Sequence, residues 1–237
     1  MTFQMTSASE DERPEVKQYQ IGQQTVIHAA AEDCNQAVKP RSVDILIFDT
    51  PAIDPEWEVE DYLDWLEDDV YPAIKPCMKK DAVVISIPRD RKGGPFSKGI
   101  ATAAFLQTHG WTFFRQIVWE RQEADFNRSK YAFGNIFFFR RGNRPSNADS
   151  PITYKDIIRV KDNPEGFVGE IPEEIYRLCL SRFYRSGDII MDPFAGTGSL
   201  ARMCQKAGYK SISVEIDKTE VQNILNRLQT GEKDGED

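Results

Sequence analysis

A run of residues near the end of the chain constrains the fold more than any other stretch. Residues 188–199 read Asp-Ile-Ile-Met-Asp-Pro-Phe-Ala-Gly-Thr-Gly-Ser. The apolar start predicts a buried strand, and the pattern after Ser199 predicts a helix that ends at Gly208. Gly196 and Gly198 let the backbone approach a ligand closely, and the first N–H groups of the helix are free to bind it. The stretch therefore predicts a strand, turn and helix that cradle part of a nucleotide-like ligand.

The next predicted strand supplies a candidate ribose-binding carboxylate. Residues 212–215 read Ile-Ser-Val-Glu, and Glu215 lies 17 residues beyond Gly198. An acid at the end of the second strand is where such a unit binds a ribose. Glycines at this spacing also occur in ordinary turns, so they do not by themselves establish a binding site.

Strand and helix patterns alternate over most of the chain, which predicts an α/β fold. Strands are predicted at residues 25–28, 43–48, 83–87, 111–119, 133–139, 189–191 and 212–215, with a weaker pattern at 157–160. We expect one domain over residues 19–229, built on a doubly wound, mostly parallel, seven-stranded Rossmann-like sheet. The polar ends, residues 1–18 and 230–237, are expected to be disordered. Ligands bind beyond the carboxyl ends of strands in such sheets, so the turns that start at Asp49, Arg89 and Asp192 predict one cleft.

The composition narrows the class of protein. Hydrophobic residues make up 40% and charged residues 29% of the 237 residues, as in globular proteins. No stretch is long and apolar enough to span a membrane, and the N-terminus does not resemble a secretory signal, so we expect an intracellular protein, cytoplasmic or nuclear, without a membrane partner. The four cysteines are far apart and there are two histidines, which argues against a metal site and for reduced, buried thiols.

The distribution of charge indicates a nucleic-acid partner despite a net charge of −8. Residues 1–70 carry 4 basic and 17 acidic side chains, residues 71–161 carry 17 and 7, and residues 162–237 carry 9 and 14. A basic middle between acidic ends is typical of a protein with one face that binds a polyanion, although the same charges could simply solvate the surface. The candidate phosphate contacts are Arg89, Arg91, Lys92, Arg140, Arg141 and Arg144.

Two motifs carry a resemblance to a known family. Asp-Pro-Phe-Ala-Gly-Thr-Gly-Ser at residues 192–199 resembles the S-adenosylmethionine motif of DNA methyltransferases that act on amino groups. Asp-Thr-Pro-Ala at residues 49–52 is similar to their Asp-Pro-Pro-aromatic catalytic motif in a degraded form, because Thr50 replaces the first proline and Ala52 replaces the aromatic residue. The catalytic-like motif precedes the cofactor motif, which is the circularly permuted order of the beta-group members. The resemblance covers about residues 19–229.

The resemblance implies S-adenosylmethionine-dependent methyl transfer to the exocyclic amino group of adenine or cytosine in DNA. Adenine is favoured over cytosine because the motif begins with Asp rather than Ser. The implied catalytic residues are Asp49, Thr50 and Pro51. The implied cofactor-binding residues are Asp192, Phe194, Gly196, Gly198, Glu215, Ile171 and Pro172.

We expect residues 142–170 to be a variable, recognition-type insertion that is short for a target-recognition domain. Specificity could therefore come from loops, from a second methyltransferase or recognition subunit, or from a homodimer. Two other functions stay open. The chain could be a non-catalytic subunit of the same fold that binds nucleic acid or a partner methyltransferase, or it could methylate RNA. Asp49 favours an active enzyme, whereas Thr50 and Ala52 favour the non-catalytic alternative.

Overall fold

The structure is a computed structural model that describes residues 13–51, 56–88, 96–122, 133–161 and 170–230. In these residues nine strands form one mixed sheet. The strands are β1 (Lys17–Ile21), β2 (Gln24–His28), β3 (Val43–Phe48), β4 (Met78–Ser86), β5 (Thr112–Gln122), β6 (Phe133–Arg140), β7 (Ile157–Lys161), β8 (Ile189–Asp192) and β9 (Lys210–Glu215). Their spatial order is β1-β2-β9-β8-β3-β4-β6-β5-β7.

The centre of the sheet is parallel and its flanks are mixed. Strands β2, β9, β8, β3 and β4 pair with one another in parallel. Strand β6 is antiparallel to both β4 and β5, β5 is parallel to β7, and β1 forms an antiparallel hairpin with β2. The predicted α/β class is confirmed, but the prediction of seven strands is wrong.

The two additional strands lie at the edges of the sheet. Strand β1 reads Lys-Gln-Tyr-Gln-Ile and is exposed along most of its length, so it lacks the apolar alternation that identifies a strand in sequence. Strand β7 gave only the weaker pattern, because it pairs on one side, with β5. An edge strand needs little burial, and its sequence signal is correspondingly small.

The ordered chain begins earlier than predicted. Strand β1 starts at Lys17, and Arg13 lies 3.9 Å from Asp33 and 3.6 Å from Asp69. Residues 13–18 are therefore part of the fold rather than of a disordered end. At the other end the last helix extends to Thr230. The remainder of both predicted tails, residues 1–12 and 231–237, lies outside the described residues.

Helices cover both faces of the sheet. They are α1 (Val59–Asp64), α2 (Tyr71–Ile74), α3 (Lys98–Thr108), α4 (Glu173–Ser181), α5 (Ser199–Ala207) and α6 (Lys218–Thr230). Successive side chains of a strand point to opposite faces. Leu46 and Phe48 of β3 accordingly share a core with α1, α2 and α3, whereas Ile45 and Ile47 share one with α4 and α5. No helix in the described ranges combines the length and the apolar character needed to cross a bilayer.

The helical segment that runs from α1 to α2 changes its winding before a proline. Residues Trp65–Val70 form a π-helical turn, and the N–H of Tyr71 bonds to the carbonyl of Leu66. Pro72 has no N–H to donate and its ring would crowd an α-helical turn before it. The wider π turn lets the segment continue past Pro72 with a local change of pitch.

A buried charged cluster joins the amino ends of the central strands. The Asp44 carboxylate accepts hydrogen bonds from Lys79 Nζ at 2.7 and 2.8 Å and from the Ile189 N–H at 3.0 Å. Arg144 is 3% exposed, lies 3.4 Å from Asp44 and also donates to Asp188. The prediction that Arg144 contacts a phosphate is therefore wrong, because its guanidinium is used inside the protein.

We expect Arg144→Met to lower the free energy of unfolding by about 3–5 kcal/mol, because it leaves the carboxylates of Asp44 and Asp188 buried without their guanidinium. Arg159→Met is the matched control, because Arg159 makes a 2.6 Å pair with Glu120 on an exposed surface. Such a pair contributes about 0–1 kcal/mol. Urea denaturation followed by circular dichroism measures both, and equal losses would contradict an essential role for the cluster.

Candidate active site

The two sequence motifs meet at the carboxyl ends of the central strands. Strands β3 and β8 are parallel neighbours, so the turn after Phe48 and the turn after Asp192 start side by side. The rings of Phe48 and Phe194 lie 5.8 Å apart and connect the two turns. Strand β9 ends next to β8, which places Glu215 at the same end of the sheet as the two turns. The described part of the candidate site is therefore formed at the carboxyl ends of β3, β8 and β9, as expected for this class of sheet.

The glycine turn after β8 needs glycine for two different reasons. Gly196 and Gly198 have φ angles of +50° and +76°, which side chains of other residues rarely adopt. A Cβ added at Gly196 would meet no described atom within 4 Å, so the turn presents a bare backbone there. A Cβ added at Gly198 would lie 2.7 Å from the Ile224 side chain of α6. Gly198 is thus required for helix packing, and Gly196 is the glycine that leaves room in front of the turn.

Glu215 and Asp192 hold this turn in place. The Glu215 carboxylate accepts the N–H of Gly196 at 2.7 Å and the N–H of Asp217 at 2.8 Å. Asp192 accepts the N–H of Phe194 at 3.0 Å. Burial raises the pKa of Glu215 from its ordinary value of 4.5 to about 7, although the hydrogen bonds from Asp217 and Gly196 favour the ionised form. The carboxylate predicted to bind a ribose therefore sits at the glycine turn and titrates near neutral pH.

An arginine of α6 connects the glycine turn to the segment before α4. Arg227 donates to the carbonyl of Thr197 at 2.7 Å and to the Glu170 carboxylate at 3.0 Å. Glu170 is followed by Ile171 and Pro172, both buried, and Pro172 precedes the first turn of α4. The predicted cofactor residues Ile171 and Pro172 are thus tied to the glycine turn through Glu170. Sequence reasoning missed Arg227, because a basic residue in the last turn of a helix is ordinary there.

The turn after β3 is buried and anchored by two helices. Asp49 and Thr50 are 8% and 3% exposed. The Thr50 hydroxyl lies 2.9 Å from the Tyr62 hydroxyl of α1, which lies 2.6 Å from the Thr102 hydroxyl of α3. A proline in place of Thr50 could not make this hydrogen bond. The chain of hydroxyls gives Thr50 a structural role that the sequence did not predict.

A buried lysine completes the described part of this turn. Lys98, the first residue of α3, is 4% exposed. Its ammonium donates to the carbonyl of Thr50 and to the carbonyl of Pro51, the latter at 3.1 Å, and lies 3.6 Å from Asp49 Oδ1. Sequence reasoning missed Lys98. The available signal was a cation at the first position of a helix, where the helix dipole disfavours it.

Aromatic rings fill the space between the helical segment and both turns. Trp65 lies 5.9 Å from Phe194 and 6.0 Å from Tyr62, measured between ring centroids, and its indole N–H donates to Glu32 at 2.9 Å. Trp57 packs edge-on against Trp65 at 6.0 Å. Ala52, the replacement for the family's aromatic residue, lies outside the described residues.

The candidate phosphate contacts divide into two groups. Arg89, Arg91 and Lys92 follow β4, whose carboxyl end adjoins that of β3, but these three residues lie outside the described ranges. Arg140 pairs with Val83 in an antiparallel register, so it lies towards the amino ends of the parallel strands, away from the candidate site. Arg141 donates to the Tyr71 hydroxyl at 2.6 Å and covers the Trp111 ring, and Arg140 covers the Phe114 ring at 4.9 Å. The structure does not bring Arg140 or Arg141 to the candidate site, and Arg144 is buried with Asp44 and Asp188.

The remaining expectations concern the insertion and the thiols. Within residues 142–170 the structure describes 142–161 and 170, which contain β7, and residues 162–169 lie outside it. Cys34, Cys77, Cys179 and Cys204 are free and buried, as predicted. The described residues contain no group of three or more metal-binding side chains arranged to hold a metal ion.

A family model described as DNA methylase, N6_N4_Mtase, matches residues 19–226, which is most of the chain. The chain therefore belongs to the N6/N4 DNA methylase family.

Two curated relatives are Type II methyltransferases. M.XycI of Xanthomonas campestris pv. cyanopsidis is 24% identical over 176 residues, and M.Cfr9I of Citrobacter freundii is 25% identical over 180 residues. Each alignment covers 67% of this chain and 57% of the relative, so the chain spans little more than half the length of these relatives.

Solved structures share the fold at low identity. The PvuII DNA methyltransferase, described as cytosine-N4-specific, matches with a TM-score of 0.67 at 14% identity over 88% of this chain and 93% of its own. The M1.HpyAVI complex with S-adenosylmethionine matches with a TM-score of 0.65 at 17% identity over 85% of this chain and 98% of its own. These similarities show the methyltransferase fold.

We expect Gly198→Ala to destabilise the protein more than Gly196→Ala does. Both changes place a side chain at a left-handed backbone angle, which costs roughly 1–2 kcal/mol. Gly198→Ala also drives a methyl group into Ile224, and such overpacking typically costs a further ~1–3 kcal/mol. Urea denaturation of the two variants measures the difference, and an equal loss would mean that the Gly198–Ile224 contact does not limit this turn.

Proposed function

We propose that this protein transfers a methyl group from S-adenosylmethionine to the exocyclic amino group of a base in DNA, with adenine favoured over cytosine. The observation that carries the proposal is the placement of Asp49 and Thr50 beside the glycine turn, at the ends of the paired strands β3 and β8. The order of the two motifs along the chain supports a circularly permuted, beta-group member of the family.

The residues at the glycine turn fit S-adenosylmethionine. Gly196 leaves the backbone bare where a ligand must come close, and the Glu215 carboxylate can accept hydrogen bonds from ribose hydroxyls. Phe194 offers a ring at the same turn, and Asp192 orients this residue by accepting its backbone N–H. Ile171 and Pro172 would close one side of the cofactor site. When bound, S-adenosylmethionine supplies an electrophilic methyl group.

The turn after β3 has groups that can bind an exocyclic amine and activate it for methyl transfer. The lone pair of an exocyclic amine is delocalised into the base, which makes the nitrogen a poor nucleophile. Hydrogen bonds from the amine to the Asp49 carboxylate and to the Thr50 carbonyl would favour a tetrahedral nitrogen whose lone pair can attack the methyl group. Pro51 keeps the turn stiff, because its ring restricts the backbone. Asp49 would also accept the proton that the methylated nitrogen releases.

Arg89, Arg91 and Lys92 remain the proposed phosphate contacts. They follow β4 in the sequence, and β4 ends beside β3 in the parallel part of the sheet. Arg140, Arg141 and Arg144 are not part of this proposal. The segment 142–170 remains a proposed contributor to target recognition, with a second subunit or a second copy of this chain as further partners.

A second candidate function is a non-catalytic subunit that binds nucleic acid or a partner methyltransferase. Its support is that Thr50 is locked by the Tyr62 hydroxyl and that Lys98 already donates to the Thr50 and Pro51 carbonyls. RNA is an alternative substrate for the same chemistry. Incubating the protein with labelled S-adenosylmethionine and mixed DNA and RNA, followed by identification of the methylated base, distinguishes the three.

We expect Asp49→Ala to abolish methyl transfer while the affinity for S-adenosylmethionine changes less than about threefold. Asp49 lies after β3 and would act on the amine, so its loss removes stabilisation of the transition state rather than binding of the methyl donor. Isothermal titration calorimetry measures the affinity, and incorporation of labelled methyl groups into DNA measures transfer. Transfer that persists in Asp49→Ala would exclude Asp49 as the amine acceptor, and an inactive wild type that binds the donor would favour the non-catalytic subunit.

We expect the affinity for S-adenosylmethionine to fall about tenfold between pH 8 and pH 6. The pKa of Glu215 is raised to about 7, so the carboxylate that would accept the ribose hydroxyls is mostly ionised at pH 8 and mostly protonated at pH 6. The raised pKa has the opposite effect on the free protein. The folded state binds more protons than the unfolded state between pH 4.5 and 7, so this group's contribution to stability decreases as the pH rises.

Glu215→Gln is the matched control for both effects, because the amide keeps the size of the side chain and cannot titrate in this range. Calorimetry at several pH values should show a pH-independent affinity in Glu215→Gln. A wild-type affinity that is equally independent of pH would show that Glu215 does not bind the cofactor.

A further inference from the structure

Lys98 occupies an unfavourable place for a cation. Its side chain is 5% exposed, and removing an ammonium group from water is costly unless the charge is matched. It is also the first residue of α3, where the helix dipole repels positive charge. A neutral side chain of similar length would avoid both costs. Residues that break such local rules are often found at functional sites.

Two of the groups that Lys98 contacts are the proposed acceptors of the target amine. The ammonium donates to the carbonyl of Thr50 and, at 3.1 Å, to that of Pro51, and it lies 3.6 Å from the Asp49 carboxylate. In the proposed reaction the Thr50 carbonyl and the Asp49 carboxylate receive the N–H groups of the base. The same turn therefore already holds a nitrogen donor that belongs to the protein.

The ammonium of Lys98 also has the geometry that the reaction creates. An amine that attacks a methyl group becomes tetrahedral and gains positive charge, and a lysine ammonium is tetrahedral and positively charged from the start. Groups complementary to that developing charge are the ones that accelerate a reaction. The turn 49–51 thus binds a nitrogen that resembles the transition state, with Lys98 as the bound group.

We propose that Lys98 is an internal competitor for the position of the target amine, so that a base enters the site only when the Lys98 ammonium withdraws from the turn 49–51. This inference rests on the proposed function, because it assigns the competing group for the same acceptors. A carbonyl oxygen has two lone pairs and could accept two donors. Electrostatic repulsion nevertheless separates them, because the N–H hydrogens of the base already carry partial positive charge where they approach the ammonium, and this repulsion acts before any bond forms.

Competition makes a prediction for DNA binding that does not require methyl transfer. Two DNA duplexes serve as probes. The first has an adenine opposite an abasic site, so that the adenine is unpaired. The second is identical except that the adenine is also replaced by an abasic site. Lys98→Met removes the competing donor and keeps the length of the side chain. We expect the ratio of affinities, adenine duplex over abasic duplex, to rise at least fivefold in Lys98→Met relative to wild type. The ratio cancels the loss of one positive charge, which weakens binding of both duplexes alike.

Matched variants separate competition from a structural role. Lys98→Gln is a second neutral variant, used if Lys98→Met does not fold, and Lys98→Arg keeps the charge and should keep the low ratio. Lys80→Met removes an exposed lysine near the amino end of β4, far from the turn along that strand, and should leave the ratio unchanged. Calorimetry with S-adenosylmethionine checks that each variant retains its cofactor site.

The outcomes are distinct. A raised ratio in the neutral variants, absent from Lys98→Arg and lost again when Asp49→Ala is added, supports competition. A ratio that is unchanged or lowered in a folded neutral variant that binds S-adenosylmethionine overturns it and makes Lys98 a structural residue of the turn. Methyl transfer is measured in the same samples. A raised ratio without transfer in any variant contradicts the proposed enzyme and leaves the competition standing.

Discussion

The parallel pairing of β3 with β8 is the contact on which the candidate site depends. It aligns Ile45 with Ile190 and Leu46 with Met191, although the two strands are far apart in the chain. The Asp44 carboxylate, which receives the N–H of Ile189, binds the starts of both strands together. Sliding a strand by one residue would turn every side chain to the other face. The charged cluster at the amino ends therefore fixes the register that places the two turns side by side at the carboxyl ends.

The two turns use the same physical device with opposite charges. At the glycine turn, the Glu215 carboxylate collects backbone N–H groups. At the turn 49–51, the Lys98 ammonium collects backbone carbonyls. Each charge orders its turn because the backbone groups are its hydrogen-bond partners away from bulk water. Glu215 is the group through which the proposed cofactor would be recognised, and Lys98 is the proposed competitor of the target amine.

The helical segment from α1 to α2 connects these turns through aromatic rings. Trp65 begins the π-helical turn that precedes Pro72, and its ring packs against Phe194 of the glycine turn and Tyr62 of α1. Tyr62 in turn contacts the Thr50 hydroxyl. The ring of Trp65, at the start of the π-helical turn, thus links the two parts of the site.

Local patterns of residue type predict the α/β class, the central strands and the glycine turn with its acid, because buried strands and glycine turns leave such patterns. The sequence by itself did not determine the edge strands β1 and β7, which bury little and so leave weak patterns. It predicted a surface role for Arg144, whose partners Asp44 and Asp188 lie elsewhere in the chain. Only the tertiary structure placed Lys98 on Thr50 and Pro51 and joined Arg227 to Thr197. Contacts between charged side chains and distant backbone groups carry no periodicity, and they exist only once the sheet has brought those segments together.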